Sequence, residues 1–139
     1  MRALVKDSNR SYRKLAKELS MSSAAIIERI KRLEAKKIII EYGVRFDYLN
    51  LGFEFMVVVE VSISGKDLLA VQKKIAEFPY VGAVWDTTGE YDAIVVLMCK
   101  NRSELSAIVK RINALSGVSK TNPQVVLNVI KRLTEFEEV

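Results

Sequence analysis

Apolar residues in the first third of the chain recur at helical spacing. In residues 22–35, Ile26, Ile30 and Leu33 fall at i, i+4 and i+7 and form one stripe. Ala24, Ile27, Glu28 and Lys31 take the opposite side, Ala25 and Arg32 one flank, and Arg29 the edge nearer the stripe. Ser22 stands where a hydroxyl accepts from the free N–H groups of the first turn. Residues 11–19, SYRKLAKEL, repeat the arrangement on a shorter scale, with Ser11 as cap and Leu15, Ala16 and Leu19 on one side. Ahead of them, residues 1–9 hold only a fragment of apolar pattern, Ala3, Leu4 and Val5, as if a helix had been cut short. Either the natural beginning lies further upstream or a partner subunit completes the small core.

The period then changes. Ile38, Ile39 and Ile40 are β-branched, and Tyr42, Val44 and Phe46 alternate with Glu41, Gly43 and Arg45, which predicts a short strand. Residues 48–52, YLNLG, have no period and read as a linker, so the chain divides into domains 1–52 and 53–139.

In residues 53–64 the odd positions Phe55, Val57, Val59, Val61 and Ile63 form an apolar strand face that packs on helices. The mixed even positions, Met56 and Val58 among them, suit pairing with another subunit. A helix capped by Asp67 carries Leu68, Val71, Ile75 and Phe78 and stops at Pro79. Strands over 81–87 and 91–100 flank the tight connection Thr88, Gly89, Glu90 and form a hairpin. A helix capped at Ser103 keeps its period through Leu105, Ile108, Val109, Ile112 and Leu115 to Gly117, and residues 124–131, QVVLNVIK, predict a fourth strand. The order β-α-β, β-α-β closes as a ferredoxin-like sandwich, an α+β fold that by itself says little of function.

A charged helix face alone implies only contact with water. Two short helices joined by Ser20, Met21 and Ser22, the second capped, basic and amphipathic, form instead a helix-turn-helix, whose second helix enters the major groove. Ser20 stands where that turn usually prefers glycine. Charge supports this reading. Of a net +5, residues 1–52 carry 12 Lys+Arg against 6 Asp+Glu, and residues 53–139 carry 10 against 11, so the positive charge belongs to the domain that would meet phosphate.

Much is excluded. No histidine is present, which removes histidine acid/base catalysis, the Ser-His-Asp and Cys-His systems and the common zinc sets; no glycine-rich phosphate loop is present either, and no enzyme is expected. Cys99, inside IVVLMC, reads as a packed small hydrophobe. Asp86, Glu90 and Asp92 lack calcium-loop spacing, so neither metal nor cofactor is expected. Paired aromatics for stacking RNA bases are missing from the sheet. Without a long apolar run or a signal peptide, a cytoplasmic protein with no membrane partner is expected.

The run LAKELSMSSAAIIERIKRLEAKKII, followed by EYGVRFD and by TTGEYD on the later hairpin, resembles the Lrp/AsnC (leucine-responsive regulatory protein, feast/famine) family of transcription regulators over essentially the whole chain. The resemblance implies an N-terminal DNA-binding helix-turn-helix, a C-terminal domain for oligomerisation and effector sensing, homodimers that assemble further, often to octamers, and amino-acid binding near the hairpin. Lys37 and Glu41 stand where the family often has glycine, Ile27 and Glu28 where polar or basic residues are common, and Thr121, Asn122 and Pro123 replace a Thr-rich run.

The expected function is a sequence-specific regulator whose assembly or DNA binding responds to a small molecule; the alternative is a free-standing amino-acid sensor or oligomerisation protein that binds no DNA. The expected DNA contacts are Ser11, Ser22, Ser23, Ala24, Ile27, Glu28, Arg29, Lys31 and Arg32, with Arg10, Arg13 and Lys14 adding phosphate contacts. At the effector site, Gly89 allows a tight turn with exposed N–H groups for a carboxylate, Asp86 and Asp92 are candidates for an ammonium group, and Thr88 and Tyr91 add hydroxyls.

Overall fold

A computed structural model describes residues 1–65 and 67–132. These group into two compact units, Met1–Arg45 joined by residues 129–132, and Phe46–Asn128.

The first unit holds three helices, α1 (Arg2–Lys6), α2 (Tyr12–Glu18) and α3 (Ser23–Ala35). The apolar fragment at the start does form a helix, and its Ala3 and Leu4 pack against Leu15, Ala16, Ile26 and Ile30. Ser11 and Ser22 cap as expected, their hydroxyls accepting from the N–H of Lys14 and Ala25. Both α2 and α3 end in the same way. The N–H of Met21 donates to the Ala16 carbonyl at 2.9 Å and that of Ser20 to Lys17, while Ile38 donates to Leu33 at 2.9 Å and Lys37 to Glu34. This pattern turns the chain through a left-handed residue, Ser20 at φ 52° and Lys37 at φ 54°. Two expectations fail here. Leu19 lies just past the α2 end and is 48% exposed, because the turn carries it away from the small core. The strand predicted over 38–46 is absent among the described residues, and Ile40 is 82% exposed. Alternation selects a face, but a strand also needs a ladder partner for its N–H and C=O groups.

The second unit contains β1 (Phe55–Ile63), α4 (Leu68–Ala76), β2 (Val81–Asp86), β3 (Ala93–Cys99), α5 (Arg102–Asn113) and β4 (Val118–Val125). The antiparallel sheet runs β2-β3-β1-β4, the order of a ferredoxin-like sandwich. On β1, Val57, Val59, Val61 and Ile63 are buried and the even positions half-exposed, as the alternation requires. Together with Val95, Leu97 and Cys99 of β3, these side chains meet Val71 and Ile75 of α4 and Ile108 and Ile112 of α5. The other sheet face is left uncovered by the described helices and carries Met56 opposite Met98, Val58 opposite Val96, and Trp85 opposite Ile94.

Two boundaries differ from expectation. Asn101, not Ser103, caps α5, its side chain accepting from Glu104 N at 2.9 Å while Glu104 accepts from Lys100 N at 2.7 Å. The fourth strand spans Val118–Val125 instead of 124–131. It is an edge strand, so polar residues and Pro123 are tolerated, and no alternation advertises it. Gly117, at φ 100°, feeds the chain into this strand where a Cβ would come within 3.2 Å of Val71 Cγ2.

Candidate functional site

Two places gather the residues singled out by sequence, one in each unit. In the first, burial of Ile26 and Ile30 turns the opposite side of α3 outward, so that Ser22, Ser23, Ala24, Ile27, Glu28, Arg29, Lys31 and Arg32 are all exposed. Ser11, Arg13 and Lys14 at the start of α2 are exposed as well. Among the described residues no ion pair engages Arg13, Lys14, Arg29, Lys31 or Arg32, so their charge is available to an anionic partner. The caps on Ser11 and Ser22 use hydroxyl lone pairs, and each hydroxyl proton remains able to donate.

Arg10 departs from this group in being paired within the unit. Its guanidinium donates from Nε to Asp7 Oδ2 at 3.2 Å and from Nη1 to Glu18 Oε2, with the side chain only 18% exposed. Hydrogen bonds to Glu18 and Asp7 hold its pKa above the ordinary value. The residue fastens the turn between α1 and α2 to the far end of α2. Its partners lie three and eight positions away, a relation no periodicity reveals.

In the second unit the hairpin that joins β2 to β3 places Asp86, Thr88, Gly89, Tyr91 and Asp92 within one short stretch. Gly89 has φ 131° and nothing within 4 Å of where a Cβ would stand, so the tip is open. The Thr87 hydroxyl donates to the Tyr91 carbonyl at 2.9 Å, and the Thr87 N–H to the Asp92 carbonyl at 3.1 Å. Both acids are already engaged: Asp92 Oδ2 accepts from Ile63 N at 2.7 Å, and Asp86 Oδ1 accepts from Gln72 Nε2 at 2.8 Å. Gln72 also donates to the Asp92 carbonyl, so this buried amide ties α4 to both ends of the hairpin.

Sequence reasoning missed Gln72, which looks like a surface helix residue, and Lys120. The Lys120 ammonium lies 5.1 Å from the Tyr91 ring centroid and 3.9 Å from Glu90, and its contact with Tyr91 holds its pKa above the usual lysine value. Burial pushes the Cys99 thiol up, away from nucleophilic use. Among the described residues no cluster of His, Cys, Asp and Glu could hold a metal ion, and no helix is long and apolar enough to cross a membrane.

A capped basic helix set on a second helix, followed by a ferredoxin-like sandwich with a buttressed hairpin, is the architecture of a helix-turn-helix protein with an attached α+β domain. Residues 1–34 match the AsnC-type helix-turn-helix domain and residues 56–136 the Lrp/AsnC ligand binding domain. The chain belongs to the Lrp/AsnC family of transcription regulators. It is 39% identical over 128 residues to an uncharacterised HTH-type transcriptional regulator of Pyrococcus abyssi, covering 92% of this chain and 87% of that one. A transcriptional regulator of Neisseria meningitidis in complex with L-methionine superposes with a TM-score of 0.90 at 21% identity, over 97% of this chain and 90% of that one. A feast or famine regulatory protein of M. tuberculosis, also complexed with L-methionine, gives 0.82 at 21% identity, over 94% and 89%.

Proposed function

We propose that residues 1–52 hold duplex DNA and that residues 53–139 pair subunits and take an amino acid at the hairpin, so that the ligand sets the assembly and the assembly sets the DNA grip. The observation that carries this is the outward face of α3, basic, capped and without ion partners among the described residues. Lys31 faces the groove and reaches guanine; Ala24 and Ile27 pack on thymine methyl groups; Glu28 accepts from cytosine. Arg29 and Arg32 on the flanks, with Arg13 and Lys14 of α2 and the hydroxyls of Ser11, Ser22 and Ser23, meet phosphates. Arg10, paired with Asp7 and Glu18, adds at most the N–H donors those two bonds leave over.

The effector is an amino acid because its two charges suit the hairpin. The open backbone about Gly89 offers N–H groups to a carboxylate, and the carboxylates of Asp86 and Asp92 each keep an oxygen beyond the one already engaged, for an ammonium group. Thr88 and Tyr91 supply hydroxyls. Methionine, held by two proteins of the same fold, is the first ligand to try. The half-exposed sheet face around Met56 and Val58 pairs two copies, which bring two recognition helices to half-sites about one DNA turn apart, and dimers assemble further toward an octamer in the cytoplasm.

An electrophoretic shift with competitor DNA tests the first part. Arg32→Ala weakens binding to all sequences alike, whereas Lys31→Ala relaxes preference at one base position, at about 1–3 kcal/mol. Equal losses on selected and random DNA for both variants refute the division of roles. A thermal-shift screen of the twenty amino acids, repeated on Gly89→Ala and Asp92→Ala, tests the second; hits unchanged in both variants move the site elsewhere.

A further inference from the structure

One end of the sheet gathers aromatic rings that neither the DNA surface nor the hairpin uses. Tyr48 and Phe53, in the segment leading into β1, meet edge to face with centroids 6.0 Å apart. Tyr80 shares with them a cleft of about 410 Å³. Gly82 and Met98 line it as well, and a Cβ at Gly82 would stand 3.7 Å from the Val96 carbonyl oxygen and 3.8 Å from Met98 Cγ. Half-buried Glu104 also lines it and commits one carboxylate oxygen to the Lys100 N–H.

Tyr80 sits at φ 70°, left-handed backbone that a bulky residue keeps only where its surroundings hold it. Here its carbonyl accepts from Met98 N at 2.8 Å. That bond fixes Tyr80 at the mouth of β2, on the wall of the cleft. One cation is already in place: the Lys100 ammonium lies over the Phe53 ring, 5.3 Å from its centroid.

Aromatic faces beside a carboxylate are the chemistry that recognises an ammonium group, through the negative ring faces and a countercharge. We propose that this cleft binds a small organic cation, an alkyl or quaternary ammonium, and that Lys100 is its built-in competitor, parked on Phe53 until a ligand displaces it. The site is separate from the hairpin. Cys99 pairs with Phe55 and Ala93 with Val61, so the two places lie at opposite ends of β3, about 20 Å apart at the rise of a strand.

The test titrates choline into the full-length protein at constant ionic strength and follows the methyl signals of the methionines and the tyrosine ring signals by NMR. The uncharged carbon analogue 3,3-dimethylbutanol serves as control. Lys100→Met keeps the apolar stem but removes the competing charge, and raises choline affinity by about tenfold. Glu104→Gln keeps an acceptor for the Lys100 N–H and removes the countercharge. Tyr80→Gly removes a ring while suiting the left-handed backbone, so the fold survives. Each of these two lowers affinity by about tenfold, and Asp92→Ala leaves it unchanged. Weaker binding in Lys100→Met, equal binding of the uncharged analogue, no response to choline in Lys100→Met, or binding lost only in Asp92→Ala overturns the proposal.

Discussion

In the helical unit the buried side chains are Leu15, Ala16, Ile26 and Ile30, whereas the sandwich buries a continuous layer from Val57 on β1 to Ile112 on α5. The difference in means is larger than the difference in size. The sandwich is held by area removed from water, with Gln72 as its single buried polar side chain among the described residues. The helical unit has too little area for that and relies on directed polar contacts: hydroxyl caps on Ser11 and Ser22, left-handed turns at Ser20 and Lys37, and the Arg10 link to Asp7 and Glu18. A small reader is therefore sensitive to its loops, and a larger sensor to its core.

The strongest way to break the contrast is to cut each core once. Leu97→Ala costs the sandwich about 2–5 kcal/mol, and Leu15→Ala takes a similar amount from a unit with less to lose. Calorimetry is expected to show Leu15→Ala lowering one transition and leaving the other, with ligand binding at the hairpin intact. A single transition shifted equally by both variants would mean that the two units do not melt separately.

A smaller effect separates Arg10 from Arg13. Arg10→Ala lowers the melting temperature of the helical unit but leaves the salt dependence of DNA binding unchanged. Arg13→Ala leaves stability alone and reduces the slope of log K against log salt by about 1, one phosphate contact. Interchanged results would return Arg10 to the DNA surface. Smaller again is Lys37→Gly. A side chain at φ 54° disfavours the turn that ends α3, and glycine there is expected to stabilise the unit by about 1 kcal/mol, read as a higher urea midpoint.

The smallest effect is a pH dependence. Burial, and then the hydrogen bond its hydroxyl donates to Glu34 at 2.8 Å, push the Tyr42 pKa up to about 12 from an ordinary 10. The folded state thus holds the proton longer than the unfolded state. Tyr42 contributes its stabilisation in full below pH 10 and loses it as pH rises from 10 toward 12. Tyr42→Phe should flatten the stability profile in that window; an unchanged slope would assign it to other tyrosines.

How much of this was legible follows from what each element depends on. The strand Phe55–Ile63 showed itself because one face is buried and the other is not, and α3 because its cap and stripe lie within fourteen consecutive residues. The sequence pattern places the edge strand Val118–Val125 six residues too late, because its polar run SKTNPQ is suited to its edge, where Asn122 and Gln124 reach across to the Glu60 carboxylate. Residues 38–46 have the side chains of a strand and no ladder within the described chain. At the sites, the exposed face of α3 could be drawn from a helical wheel. The binding of Arg10 to Glu18 and of Gln72 to Asp86 could not, since each depends on how separate pieces of chain come together.

Trp85 is the lone tryptophan of the sequence, and it stands half exposed on the uncovered sheet face beside Ile94. An indole surrounded by water emits at long wavelength, and apolar cover shifts that emission toward the blue. The protein thus carries its own optical reporter on the face through which copies would pair. Dilution and ligand addition can be followed by colour alone, without a label and without touching the helices that read DNA.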